Sequence, residues 1–406
     1  MRHLRIGNKK LIKDINRSIV LNQIRSKGSI SRTDISKNTK LALSTITNII
    51  DSLIREKLVF ETGTESSTGG RRPISLQFNY GYAHVFGVKV EKDNIIIALT
   101  DLKADIKDKL ILSYEKDKTG KSIINVIKKG INQLLIKNKK NKKIIMGIGI
   151  AISGLTNNNK GILVHSSFLG LKSINFRNEL NKEFKVPIYI DNDVNAYTLA
   201  EFTMGYGKDE SNFICISVGE GIGAGIVINN KVYYGQIGGA GEFGHTIISK
   251  DGYPCHCGQC GCLEMYASDK YFQLRGREIS KDFKNSSLNN SKFSFDEVYE
   301  AAKDKNDPLA LQLFKEKGIN LGIGIVNLIN ILNPSRIIFM GENLKAKEFF
   351  LKYTIKTANN NFFDKADFKT KFFVSKLGDN AWEIGAALLA INRLFEVPLY
   401  DKKHSI

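Results

Sequence analysis

The chain has 406 residues, enough for two or three domains with cores of their own. It carries 60 Lys and Arg against 41 Asp and Glu, a formal charge of +19. No apolar run approaches the ~20 residues of a membrane-spanning helix, and IIMGIGIAI at 144–152 is too short. The basic start, MRHLRIGNKK, is not followed by an apolar signal core, so a cytoplasmic protein is expected. The charge is uneven. Residues 1–80 hold 15 basic and 6 acidic side chains, a net +9, about half the excess in a fifth of the chain. That fits a small domain facing a polyanion. A general lysine-rich bias is the competing source of part of it, since Lys, Asn and Ile are abundant throughout.

Leu11–Lys27 repeats Ile12, Ile15, Ile19, Leu21 and Ile24 near helical spacing, and Gly28 ends the run. Ser31 is placed to cap a second short helix, SRTDISKNT, with Asp34 at its third position. After a brief turn, Ser44 is expected to cap a third, STITNIIDSLIREKL. Its Ile46, Ile49, Ile50 and Leu53 face inward, and Thr45, Thr47 and Asn48 face out. Two short helices joined by a tight turn, the second opening on small polar residues, make a helix-turn-helix pattern. A hairpin follows, LVFET and ISLQFN, with Arg71 and Arg72 on a glycine-rich tip that reads as a wing. Ser44, Thr45, Thr47, Asn48, Arg71 and Arg72 are therefore the candidate DNA contacts. The competing account is a three-helix module that uses this surface for protein.

From residue 81 onward, strands and helices alternate. HVFGVKV, NIIIALTD and KLILSYE are three successive strands, Lys121–Lys137 is a helix, and KIIMGIGIAI is a buried strand. PIYIDND ends in carboxylates and leads into a helix through Ala196–Gly205. FICISVGEGIGAGIVI is two strands about a glycine turn, and the remainder is mainly helical, broken by SRIIFMG and FFVSKL. The order predicts two α/β lobes with a ligand cleft between them. Residues 281–293, KDFKNSSLNNSKF, read as a polar surface loop.

Four of the five cysteines fall within eight residues, in GHTIISKDGYPCHCGQCGCLE at 244–264. His245, Cys255, Cys257 and Cys262 form a candidate metal set, because zinc favours tetrahedral thiolate and imidazole ligation. Gly258 and Gly261 supply the backbone freedom that one tight loop needs to present three thiolates. Disulfides are the alternative, less suited to a reducing compartment. Cys260 and His256 are rivals for a ligand place, and Cys215, inside the apolar FICISV, reads as a buried strand residue.

The ordered runs VGEGIGAG (218–225), GGAGEFGH (238–245) and CHCGQCGCLE (255–264), with IDNDVNA (190–196) and GIGIAISG (147–154), resemble the ROK family of sugar kinases and sugar-responsive repressors. ESSTGGRRP (65–73) resembles the wing of its repressor branch, the xylose-operon and N-acetylglucosamine type. The likeness covers roughly residues 10–396. It implies a winged helix-turn-helix at 1–80, then a two-lobed actin-like, ribonuclease-H-like sugar-sensing domain at 81–406 with a zinc-binding loop at 245–262. It also implies sugar contacts at Asn192, Asp193, Glu242, His245 and Glu264, with Asp193 matching the kinases' catalytic base.

The kinases carry an Asp-x-Gly-Gly-Thr loop after the first strand of this domain. Here the strand reads FGVKVEKDN, with Lys89 in place of the Asp and Glu91-Lys92 in place of the glycines. Side chains where amides should approach phosphate argue against nucleotide binding. VGEGIGAG survives, and IIFMGEN (337–343) keeps one of two glycines. The expectation is a non-enzymatic regulator, dimeric or larger, that binds operator DNA and is released by a sugar or sugar phosphate through a change in the angle between lobes. The alternative is an ATP-dependent sugar kinase carrying a DNA-binding domain.

Overall fold

The computed structural model describes residues 8–64, 74–114, 119–139, 144–363, 365–366 and 369–397. The chain divides into two compact units: Met1–Asp193 together with Trp382–Ile406, and Val194–Ala381.

The first unit opens with α1 (Lys9–Lys27), which starts where Asn8 caps it by accepting from Leu11 N–H at 2.9 Å. β1 (Ile30–Ser31), α2 (Arg32–Thr39), α3 (Leu43–Arg55), β2 (Val59–Thr64) and β3 (Ile74–Phe78) follow, and the strands pair in the order β1-β3-β2. Ser31 caps α2 as expected, accepting from Asp34 N–H at 3.1 Å. Ser44 does not cap α3. Lys40 turns left-handed at φ 58°, Ala42 takes the cap position with no side-chain bond, and the helix begins one residue before Ser44. Val20, Ile24, Ile35, Ile46, Ile50 and Leu53 form the apolar interior of this module. The expected wing tip, with Arg71 and Arg72, lies outside the described residues.

β4 (Ala83–Val90), β5 (Asn94–Asp101) and β6 (Ile106–Ser113) form an antiparallel meander. α4 (Gly120–Lys137) precedes β7 (Ile144–Ile152), which pairs parallel with β4. β8 (Leu155–Asn157), β9 (Ile162–Ser166) and β10 (Leu171–Asn175) make a small separate sheet. α5 (Phe176–Phe184) then leads to β11 (Ile188–Asn192), parallel to β7. The main sheet runs β6-β5-β4-β7-β11. Its central strands are buried nearly throughout, which explains their unbroken apolar reading.

α6 (Asp193–Met204) starts at the unit boundary. In the second unit, β12 (Phe213–Val218), β13 (Ile222–Ile228) and β14 (Lys231–Val232) form a second meander. α7 (Glu264–Ala267), α8 (Asp269–Ile279), α9 (Phe295–Lys305), α10 (Pro308–Leu332), β15 (Arg336–Met340), α11 (Lys347–Ala358) and β16 (Lys371–Val374) complete it. The sheet order is β14-β13-β12-β15-β16, with β15 and β16 parallel to β12. Each unit therefore has the same plan: a three-strand meander, then two parallel strands added beside its first strand. This is the duplicated ribonuclease-H-like lobe that the resemblance implies. Residues 281–293 form the exposed loop expected, anchored at a few points. Leu288 and Phe293 enter the core, and the Ser286 and Ser287 hydroxyls donate to Asp307, the cap of α10. The serines that made the segment read as polar are spent on that cap.

α12 (Ala381–Leu394) belongs mainly to the first unit. It packs so tightly on the sheet that a Cβ at Gly149 would stand 1.7 Å from Ala386 O, and one at Gly87 2.1 Å from Glu383 O. Beyond its end, Phe395 reaches the N-terminal three-helix module. Its carbonyl accepts from Asn22 Nδ2 at 2.8 Å, and the Arg25 guanidinium lies 4.7 Å from its ring.

Candidate functional site

The cysteine-rich loop is held by short backbone pairings. Ile248 N–H donates to Gly261 O at 2.9 Å, Cys255 N–H to Gln259 O at 2.8 Å and Leu263 N–H to Thr246 O at 2.8 Å. Gly261 has φ 78°, and a Cβ there would lie 1.6 Å from Ser249 O, so the chain folds this way only with glycine. The loop gathers His245, Cys255, Cys257 and Cys262 so that their ligand atoms all lie within 4.8 Å of one another. Cys255 Sγ is 3.6 Å from His245 Nδ1, and Cys257 Sγ is 3.6 Å from Cys262 Sγ. That sulfur spacing is no disulfide. It suits two thiolates on one tetrahedral ion, whose ligands at ~2.0–2.3 Å from the centre stand roughly 3.3–3.8 Å apart. The cluster can hold a metal ion. Cys260 is exposed and outside it. Burial, then hydrogen bonds with Cys257 and Cys255, push the Cys262 thiol up to about 12.

Glu242, His245 and Glu264 come together around this loop. Glu264 opens α7, is buried, and accepts from Ile222 N–H at 3.3 Å. His256 Nδ1 lies 3.4 Å from Glu264 Oε1, and His245, His256 and Glu264 form a second close-set group. Desolvation raises the Glu242 carboxyl above its ordinary range, and Glu264 adds to the rise while His245 opposes it. Such a group of carboxylate and imidazole can accept and donate to several hydroxyls. Asn192 and Asp193 stand at the end of β11 in the first unit, where Asn192 Nδ2 donates to Gly154 O at 3.1 Å. The carboxyl end of a parallel strand is where open α/β sheets place their ligands.

At the end of β4, Lys89 and Glu91 pair at 2.6 Å, and Lys89 Nζ lies 4.4 Å from the Trp382 ring centroid. A bulky pair thus stands where the kinases' loop would carry its Asp and the first of its glycines. On α3, Ser44 and Asn48 are exposed, and Thr45 and Thr47 are partly so. Thr47 Oγ1 donates to Leu43 O at 2.9 Å. Sequence reasoning missed the His256–Glu264 pair as a contact, though both residues lie in the motif. It also missed Lys317, which has no exposed surface. The signal was present, because Lys317 continues the apolar phase of Leu313, Phe314 and Leu321 along α10.

Residues 85–393 match the ROK family. The xylose repressor of Caldicellulosiruptor bescii is 32% identical over 403 residues, spanning 97% of this chain and 100% of that protein. A crystal structure of a ROK family transcriptional regulator, a homolog of the E. coli MLC protein, aligns with a TM-score of 0.84 at 29% identity. It covers 96% of this chain and 98% of that one. A ROK glucokinase from Streptomyces griseus, crystallised with glucose and AMPPNP, aligns with a TM-score of 0.63 at 24% identity over 76% of this chain and 100% of that one, a likeness of fold. By the family match and by relatives that span nearly its full length, the chain belongs to the ROK family.

Proposed function

We propose that the chain is a sugar-responsive transcriptional repressor of carbohydrate genes, acting in the cytoplasm as a dimer or larger homo-oligomer. One observation carries this reading. Similarity to repressors extends through the helix-turn-helix module as well as the ROK domain, over 97% of the chain. Residues 1–80 are assigned as the DNA-binding domain, with Ser44, Thr45, Thr47 and Asn48 of α3 at base edges and Arg71 and Arg72 on phosphate or minor groove. Residues 81–406 are assigned as the sensor, with Asn192, Asp193, Glu242, His245 and Glu264 as contacts for sugar hydroxyls. Xylose is the first sugar to test, given the named relatives. The ligand releases DNA only by its differential affinity for the two states.

Zinc is the metal assigned to His245, Cys255, Cys257 and Cys262, on the strength of the donor set and the ligand spacing. Bound there, it supplies structure rather than reactivity, and fixes the loop that carries His245 and Glu264. The test is a thermal-shift screen against free and phosphorylated pentoses and hexoses, followed by operator binding measured with and without each hit. A sugar that raises the melting temperature and lowers operator affinity is the expected result. A protein that binds no operator in any condition rejects the assignment.

A further inference from the structure

The turn joining β12 to β13 closes on itself, with Gly219 N–H donating to Gly221 O at 3.1 Å. The N–H of the residue between them, Glu220, donates instead to Glu342 Oε1 at 3.2 Å, from 122 positions away. The Glu342 carboxylate lies directly on the turn. A Cβ at Gly219 would stand 2.1 Å from its Oε1, 2.4 Å from its Cδ and 2.8 Å from its Oε2. A glycine turn with an outward amide is a cradle for an anion, and here the anion is the chain's own side chain.

The residues on either side of Glu342 hold its backbone in place. Gly341 has φ 105°, and a Cβ there would meet Val218 O at 2.6 Å. Asn343 is fully buried and donates to Asp269, which stands 3.9 Å from the buried Lys317 ammonium. Glu342 itself is exposed, so only its side-chain torsions are free. Glu342 and Glu220 lie close enough to Asp269 for their charges to act on it. An incoming polyphosphate would meet these carboxylates as well as an occupied amide.

We propose that Glu342 is an internal phosphate mimic that closes the Gly219–Gly221 turn to nucleotides and polyphosphates. It excludes them by filling the anion seat and by charge. This goes beyond the repressor reading and requires neither operator nor sugar.

The experiment measures binding of ATP and of inorganic tripolyphosphate to the full-length protein by calorimetry, for the wild type and for Glu342→Gly, Glu342→Ala and Glu342→Gln. Removing the carboxylate frees one amide and one repulsive charge. The expected gain for Gly and Ala is at least about tenfold in affinity, the equivalent of one charge-assisted hydrogen bond. Gln keeps the bulk and loses the charge, and is expected to fall between them and the wild type. Gln also keeps the packing, so it remains a valid comparison if the truncated variants fold poorly. Wild-type binding as tight as that of the variants overturns the proposal, and so does a set in which no folded variant gains affinity.

Discussion

The Lys317 ammonium stands 3.9 Å from Asp269 Oδ1, with no exposed surface and three phenylalanine rings, Phe272, Phe295 and Phe350, around it. Burial pushes its pKa down to about 8, although Asp269 and Glu342 pull the other way. In the unfolded chain the same group titrates near 10.5. Between these values the unfolded state binds more protons than the folded one, so stability from this group rises as pH rises. The full span corresponds to about 3 kcal/mol. Urea melts from pH 7.5 to 9.5 should show a rising unfolding free energy that Lys317→Met flattens. Equal slopes for the two proteins would refute this account of Lys317.

Cys257→Ser is expected to lose the metal and, with it, the sugar response, because the loop that bears His245 and Glu264 is no longer fixed. Metal content by atomic emission and inducer titration of operator complexes check both. Since a thiol must lose its proton to bind a metal, and the Cys262 thiol is pushed up to about 12, apparent metal affinity should rise with pH and loading should release protons. A variant that still responds normally to inducer separates metal from sensing.

Arg71→Ala with Arg72→Ala should weaken operator binding and reduce the salt slope by about two, close to one unit for each phosphate no longer neutralised. Asn48→Ala should instead relax base preference, at about 1–3 kcal/mol for a bidentate pairing with a base. Anisotropy titrations over a salt series, on operator and on scrambled duplex, tell the two effects apart. A salt slope unchanged in the double arginine variant removes the wing from the interface.

No turnover is expected when the protein is offered ATP and a panel of hexoses and pentoses in a coupled assay. Lys89 and Glu91 stand where the kinases' phosphate loop needs glycine and aspartate, and Glu342 covers the other turn. Phosphorylation that Asp193→Asn abolishes would return the chain to the kinases.

Much of this was legible in the residues. The cap at Ser31, the inward face of α3, the cysteine-rich cluster and the alternation of strands and helices follow from local patterns that residues near in sequence impose on one another. The two α/β lobes were legible in the order of strands and helices, but the strand order within each sheet was not, because pairing joins strands far apart in the chain. Ser44 misled because a cap depends on where the preceding chain turns, and after the turn at Lys40 the cap falls two residues early, on Ala42. The anchoring of the loop 281–293 was not legible because serines that bond to Asp307 read the same as serines in water. Glu342 on the glycine turn joins positions far apart in the chain, which no window of sequence displays.

The first unit is interrupted. Val194–Ala381 is a continuous insertion, whereas the unit around it is completed by the last helix. During synthesis, every strand of the inserted unit is available before the helix that completes the unit around it. The sheet against which Gly87 and Gly149 wait for α12 stays uncovered on that face until residues 381–394 have been made. Phe395, which touches Asn22 and Arg25, arrives later still. A unit begun before the other is therefore finished after it, and the bonds between the N-terminal helices and Phe395 form only once the whole inserted unit has been made.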